Sequence, residues 1–100
     1  MKRKKVFTPI LVNATEMARQ YPDTFEQPPK SELDKLQRGD LAKVSDHHER
    51  FWVIITQRDG DIFTGKIDNH VGLGLGRQPY RCGDLLRFGT DNIYQLERRD

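Results

Sequence analysis

Cysteine occurs once, at Cys82, so the chain can form no internal disulfide and must hold its fold by packing and hydrogen bonding. A lone thiol fits a reducing compartment, and a cytoplasmic location is the expectation. No apolar run approaches the roughly 18 residues that a membrane-spanning helix needs. The stretch 6–12 is short and broken by Thr8-Pro9, which excludes a signal-peptide core. A large charge of one sign is missing too: 17 Lys+Arg face 15 Asp+Glu, a formal +2. That excludes a surface given over wholly to gripping a polyanion. The small surplus is local. Residues 1–40 hold eight Lys+Arg against six Asp+Glu, the rest hold nine of each, and the excess is essentially Lys2, Arg3, Lys4 and Lys5. Such a cluster reads as a solvated basic arm.

What is present is a hairpin. Residues 50–68, RFWVIITQRDGDIFTGKID, are two β-branched and aromatic runs closed by Asp59-Gly60, a dipeptide whose preferred turn matches strand twist. With those two as the loop, Arg58 faces Asp61, Thr56 faces Phe63, Ile54 faces Gly65 and Val53 faces Lys66. The first strand is apolar on both sides, through Trp52 and Ile54 on one and Phe51, Val53 and Ile55 on the other. One face must line a core, and the other needs a second cover. Gly65 opposite a bulky residue predicts a bend or a close backbone approach.

Around the hairpin the chain divides into short pieces. Residues 5–12 read as an extended segment that Pro9 confines to an edge. Asn13 is an N-cap with Glu16 three residues on, and Pro22 stops that helix; its stripe of Met17, Tyr21 and Phe25 is the internal candidate to cover the hairpin's second face. Gln27-Pro28-Pro29 is a stiff spacer. Ser31 caps a second helical turn through Leu33 and Leu36, and Gly39 ends it. Strands then follow at 41–44, in the hairpin, at 85–88 and at 93–96. Two of them start alike, from Gly39-Asp40-Leu41 and Gly83-Asp84-Leu85, which we read as one turn solution used twice.

The runs GDLAKV, ERFWVIIT, DGDIFTGKIDN, YRCGDLLRF and DNIYQL, with ATEMARQ ahead of them, resemble the YegJ-like family of uncharacterised proteins, domain of unknown function 2314. The resemblance covers about residues 13–96 and implies an N-terminal helix ahead of a compact β-module. The glycine-rich segment 71–78 and the short loop 45–48 depart from it. It carries no activity, so no functional residue is transferred.

Chemistry is sparsely represented. VGLGLGRQ alternates glycine at 72, 74 and 76, but has neither the dinucleotide spacing nor a Gly-Lys-Ser/Thr phosphate loop, and Pro79 blocks an immediate helix. His47, His48 and His70 lack paired ligand spacing, and Cys82 has no identifiable base beside it. No metal, cofactor or catalytic residue is therefore expected. The binding candidates are Arg50, Arg58, Arg77, Tyr80, Arg81 and Arg87, since small barrels commonly bind through basic side chains and aromatic platforms. Asp59, Asp61, Asp68 and Asp84 dilute their field.

The expectation is an α+β fold: a small SH3-like antiparallel β-barrel of about five strands preceded by an N-terminal helix. Residues 1–12 form the basic arm, 13–38 the helix and Pro-containing spacer, and 39–100 the barrel module. The expected function is a non-catalytic binding or adaptor domain with a protein partner, as monomer or homodimer and away from membranes. A nucleic-acid-binding barrel using the Arg/Tyr surface is the alternative, and a phage- or mobile-element-encoded inhibitor the second.

Overall fold

The computed structural model describes residues 5–69 and 79–99. Its elements are β1 (Val6–Phe7), α1 (Ala14–Gln20), α2 (Lys30–Leu33), β2 (Leu41–Ser45), β3 (Arg50–Asp59), β4 (Ile62–Ile67), β5 (Leu85–Gly89), a 3-10 turn (Thr90–Asn92) and β6 (Gln95–Glu97). The strands form one sheet in the order β1-β5-β4-β3-β2-β6. All neighbours are antiparallel except β1 and β5, which run parallel.

The expected SH3-like barrel is thereby corrected. The sheet has six strands, is mixed, and stays open, with β1 and β6 at opposite edges among the described residues. Closure needs two edge strands long enough to pair with each other. Here β1 has two residues and β6 three, and Pro9 deprives the chain after β1 of a ladder donor.

The hairpin exists, with its turn one residue later than expected. Asp59 pairs with Ile62, so the loop is Gly60-Asp61; Gly60 takes φ +64° and Asp61 does not share the positive φ, the pattern of a type II′ turn. The register then slips at Thr56, a β-bulge between Ile55 and Gln57. The combination sets Ile55 opposite Gly65 and Val53 opposite Ile67, replacing the pairings counted from Asp59-Gly60.

One face of this sheet is the core. Phe51, Val53 and Ile55 of β3 lie beside Ala42 and Val44 of β2, Phe63 and Ile67 of β4, and Leu86 and Phe88 of β5, all buried. Phe63 and Phe88 stack at 5.3 Å. The lid over them comes from Leu33 and Leu36, with Tyr80 and Ile93. The bulge decides how the far end is sealed. Beyond Thr56 the parity reverses, so Arg58, opposite Phe63, faces the lid side. Its Nη1 donates to the carbonyls of Leu33, Asp34 and Leu36 at 3.2, 3.1 and 2.7 Å, and its guanidinium lies 4.8 Å from the Phe63 ring centroid. Leu33 ends α2 and Asp34 and Leu36 follow it; the Leu33 carbonyl also takes the Leu36 N–H at 3.3 Å, and one planar cation reaches all three.

The other face is not covered by α1. That helix is capped as expected, the Glu16 N–H donating to Asn13 Oδ1 at 2.9 Å, but it docks on the 3-10 turn with Ala14 fully buried, while Tyr21 is 52% exposed. Thr15 and Asp91 tie the two together, and Asn92 reaches back to the Val12 carbonyl. Near β6, Phe25 meets Tyr94 edge-on at 4.7 Å, and the Lys43 ammonium sits 5.5 Å from the Trp52 ring. Pro28 and Pro29 share a shallow groove with Trp52 and Leu96. The spacer, not the helix, borders the tryptophan.

The shared Gly-Asp-Leu runs are one turn built twice. Gly39 and Gly83 adopt φ +97° and +95°. Asp40 Oδ2 accepts the Gln37 N–H at 3.0 Å, as Asp84 Oδ2 accepts the Arg81 N–H at 2.9 Å. Gly39 N–H donates to the Ile55 carbonyl and Gly83 N–H to that of Ile67, both at 2.8 Å. Each turn thus launches a strand, β2 or β5, from a buried isoleucine of the central hairpin.

Candidate functional site

β1 leaves the sheet at Thr8-Pro9 and the chain crosses to the end of β2, where the Val12 N–H donates to the Ser45 carbonyl at 2.9 Å. This crossing frames a cleft of about 480 Å³. Residues 5–10 form one wall; Asp46 and His48 with Pro79 and Tyr80 form the other. Ile10 is 84% exposed, the most exposed of the large hydrophobics described.

The floor of the cleft is a buried polar pair. Asp46 closes the β2–β3 loop: its Oδ1 accepts the His48 and Glu49 N–H groups, both at 3.0 Å, and His47 between them takes φ +77°. Its Oδ2 accepts the Tyr80 hydroxyl at 2.5 Å. Such an O–H···O⁻ bond belongs to the strong class. Phe7 and Phe51 flank the Tyr80 ring at centroid distances of 5.7 and 6.0 Å. Burial first, and the Asp46 bond second, push the phenol well above its ordinary value. The group is therefore a neutral donor at physiological pH, and it locks the loop at 46–49 to the core.

Among the described residues, those singled out from sequence do not gather at one place, and only Tyr80 lines this cleft. Arg58 caps α2. Tyr80 is the floor, 3% exposed, with no face free for stacking. Arg50 lies over the Tyr94 ring at 4.6 Å, at the other side of the sheet. Arg87 is exposed in the middle of β5, beside Thr64. Arg81 sits in the turn before β5, its Nη1 near the Tyr80 carbonyl at 3.4 Å. Arg77, His70 and the glycines at 72, 74 and 76 lie outside the described residues. Cys82 is exposed in the same turn as Arg81, with Sγ 3.6 Å from the Ile67 carbonyl. Among the described residues no three His, Cys, Asp or Glu side chains gather as a metal site, and no helix is long and apolar enough to cross a membrane.

Sequence reasoning missed Lys5, Phe7, Ile10 and Asp46 as one locus. Asp46 and Tyr80 stand 34 positions apart, and nothing local announces their bond. The signal that was readable is the exposed apolar Ile10 after a proline, in a segment too short for a full strand.

No family model, no curated protein and no solved structure matches this chain.

Proposed function

We propose that this chain is a non-catalytic binding domain for a protein partner, and that an apolar side chain of the partner enters the cleft between residues 5–10 and Tyr80. One observation carries the reading. An almost fully exposed isoleucine stands at a concave, largely apolar wall whose volume, about 480 Å³, falls within the range of small-ligand and side-chain pockets. A single exposed hydrophobe is ordinary; one at the mouth of an apolar hollow is a docking feature. The polar atoms at the floor are engaged with one another, which suits a rigid seat.

The Arg/Tyr surface offers less. Of its members, Arg58 and Tyr80 are committed to the fold, and Arg50 and Arg87 stand on different parts of the sheet.

The test is peptide-display selection against the full chain, followed by NMR titration of an enriched peptide. We expect the Phe7, Ile10 and Tyr80 amides to shift, and Ile10→Asp to weaken binding about tenfold or more, the value of one partly buried aliphatic contact. A selection without binders, or shifts confined to the opposite face at Thr64 and Arg87, overturns the proposal.

A further inference from the structure

We infer that the groove beside Trp52 is a second docking site, and that it takes an arginine carried on an extended segment of a partner protein. The site is separate from the Tyr80 cleft and does not depend on the role proposed for it.

The sequence sets the ring where it can be reached. Phe51 and Val53 turn into the core, so Trp52 between them stands on the opposite face of β3, half-buried. The spacer runs past it: Pro29 holds φ −63° and ψ 152°, and neither it nor Pro28 has an N–H to offer. Trp52, Leu96 and the two prolines make the apolar lining of a groove of about 510 Å³, and Glu32 and Glu97 are its charged residues. Among the described residues no lysine or arginine lines it.

Two cations stand close by. The Lys43 ammonium lies 5.5 Å from the Trp52 ring centroid. Arg98 Nη1 approaches Glu32 at 3.9 Å, with the two side chains 37% and 41% exposed, a contact of the kind that contributes little. Glu97 is exposed and makes no ion pair among the described residues. One carboxylate of the groove is therefore loosely held, and the other is unpaired.

An apolar slot with a tryptophan and carboxylates at hand selects a cation that can also lie against carbon. A guanidinium does so: it is planar and weakly hydrated, it stacks on indole, and its fork matches a carboxylate. A lysine ammonium gives up more hydration on entering such walls, and a phosphate would be repelled by Glu32 and Glu97. Lys43 and Arg98 oppose a further cation, so the gain expected from the arginine is about tenfold and not more. The volume lies in the range of pockets that bury whole ligands, so residues flanking the arginine enter as well.

Trp52 is the only tryptophan, so its emission reports on this groove. The experiment pans three display libraries of one random design against the full chain, with arginine, lysine or glutamine fixed at the centre. Enriched peptides are then titrated while that emission is followed. We expect about tenfold more enrichment from the arginine library than from the glutamine one, with lysine between, and an emission change that weakens as salt rises. Glu97→Gln should weaken the enriched peptide about fivefold with an unchanged circular-dichroism melt, while Ile10→Asp should leave it unaffected. Equal enrichment from the three libraries, peptides that leave Trp52 emission unchanged, or binding that Glu97→Gln does not weaken each overturn the inference. Binding lost in Ile10→Asp overturns it by moving the peptide to the Tyr80 cleft. No enrichment from any library overturns it as well.

Discussion

Replacing Gly65 by Ala should destabilise the domain although it adds one methyl group to an apolar interior. Gly65 lies in β4, buried, opposite Ile55 and beside Leu86. A Cβ built on it would meet Val53 Cγ1 at 2.3 Å, the Ile54 carbonyl oxygen at 2.9 Å and Phe88 Cε1 at 3.1 Å. Ordinary carbon contacts are about 3.5–4.0 Å, so Val53 would have to withdraw by more than an ångström. It cannot do so cheaply, because Val53 is fully buried and β-branched residues hold one χ1 well. The carbonyl belongs to the central strand and moves only with the ladder. Overpacking of this kind costs about 1–3 kcal/mol, and alanine's better strand entropy returns about 0.5–1 kcal/mol. The net is about 1 kcal/mol, which for a domain of this size lowers Tm by roughly 4–8 °C. Thermal and urea unfolding followed by circular dichroism would read it. A double-mutant cycle with Val53→Ala isolates the cause: the pair should lose at least about 1 kcal/mol less than the two single changes added together. An unchanged or raised Tm for Gly65→Ala, or strict additivity in the cycle, would refute the close-approach argument.

Three further outcomes are expected. Arg58→Met should cost about 1.5–3 kcal/mol in urea unfolding, since it strips a charged donor from the carbonyls of Leu33, Asp34 and Leu36, and Arg58→Lys should recover only part because an ammonium lacks the planar fork; a lysine variant as stable as wild type would contradict this. Gly39→Ala and Gly83→Ala should each cost about 1–2 kcal/mol and match each other closely, because a Cβ meets nothing within 4 Å at either site and the penalty is that of the left-handed backbone alone. Tyr80→Phe should cost about 1–2 kcal/mol at neutral pH by removing a donor from buried Asp46. The phenol is raised in the folded state, so its share of stability is fully present below the unfolded value near pH 10 and drains away as pH climbs above it. The wild type should therefore lose more stability than Tyr80→Phe between about pH 9.5 and 11.5, and parallel losses would refute the assignment.

The elements legible in sequence were those with local causes. Asn13 capped its helix and the Gly-Asp-Leu turns launched strands, because each rests on hydrogen bonds within a few residues. The hairpin was legible as a hairpin but not in register. The string Asp59-Gly60-Asp61 offers glycine to two alternative loops, and the bulge at Thr56 depends on packing at both ends of the strand. The barrel was misjudged because strand number and brevity fit closed and open sheets alike; the parallel β1–β5 pairing, joining residues about eighty positions apart, decides between them. The cleft was invisible for the same reason, since its two walls come from residues 5–10, 46–48 and 79–80. The arginines misled in the opposite direction. Arg58 looks like surface in the sequence, and only the reversal of parity after Thr56 turns it toward the lid.

That reversal belongs to the bulge at Thr56. Were Thr56 kept but drawn into an ordinary ladder position, the inner segment from Phe51 to Ile55 would keep its orientation while the distal tip rolled half a turn about the strand axis. Gln57 would then be thrust at the leucines of α2, and the guanidinium that now closes that end would be flung into water. In this sheet a spacer one residue long tells the tip which way is in.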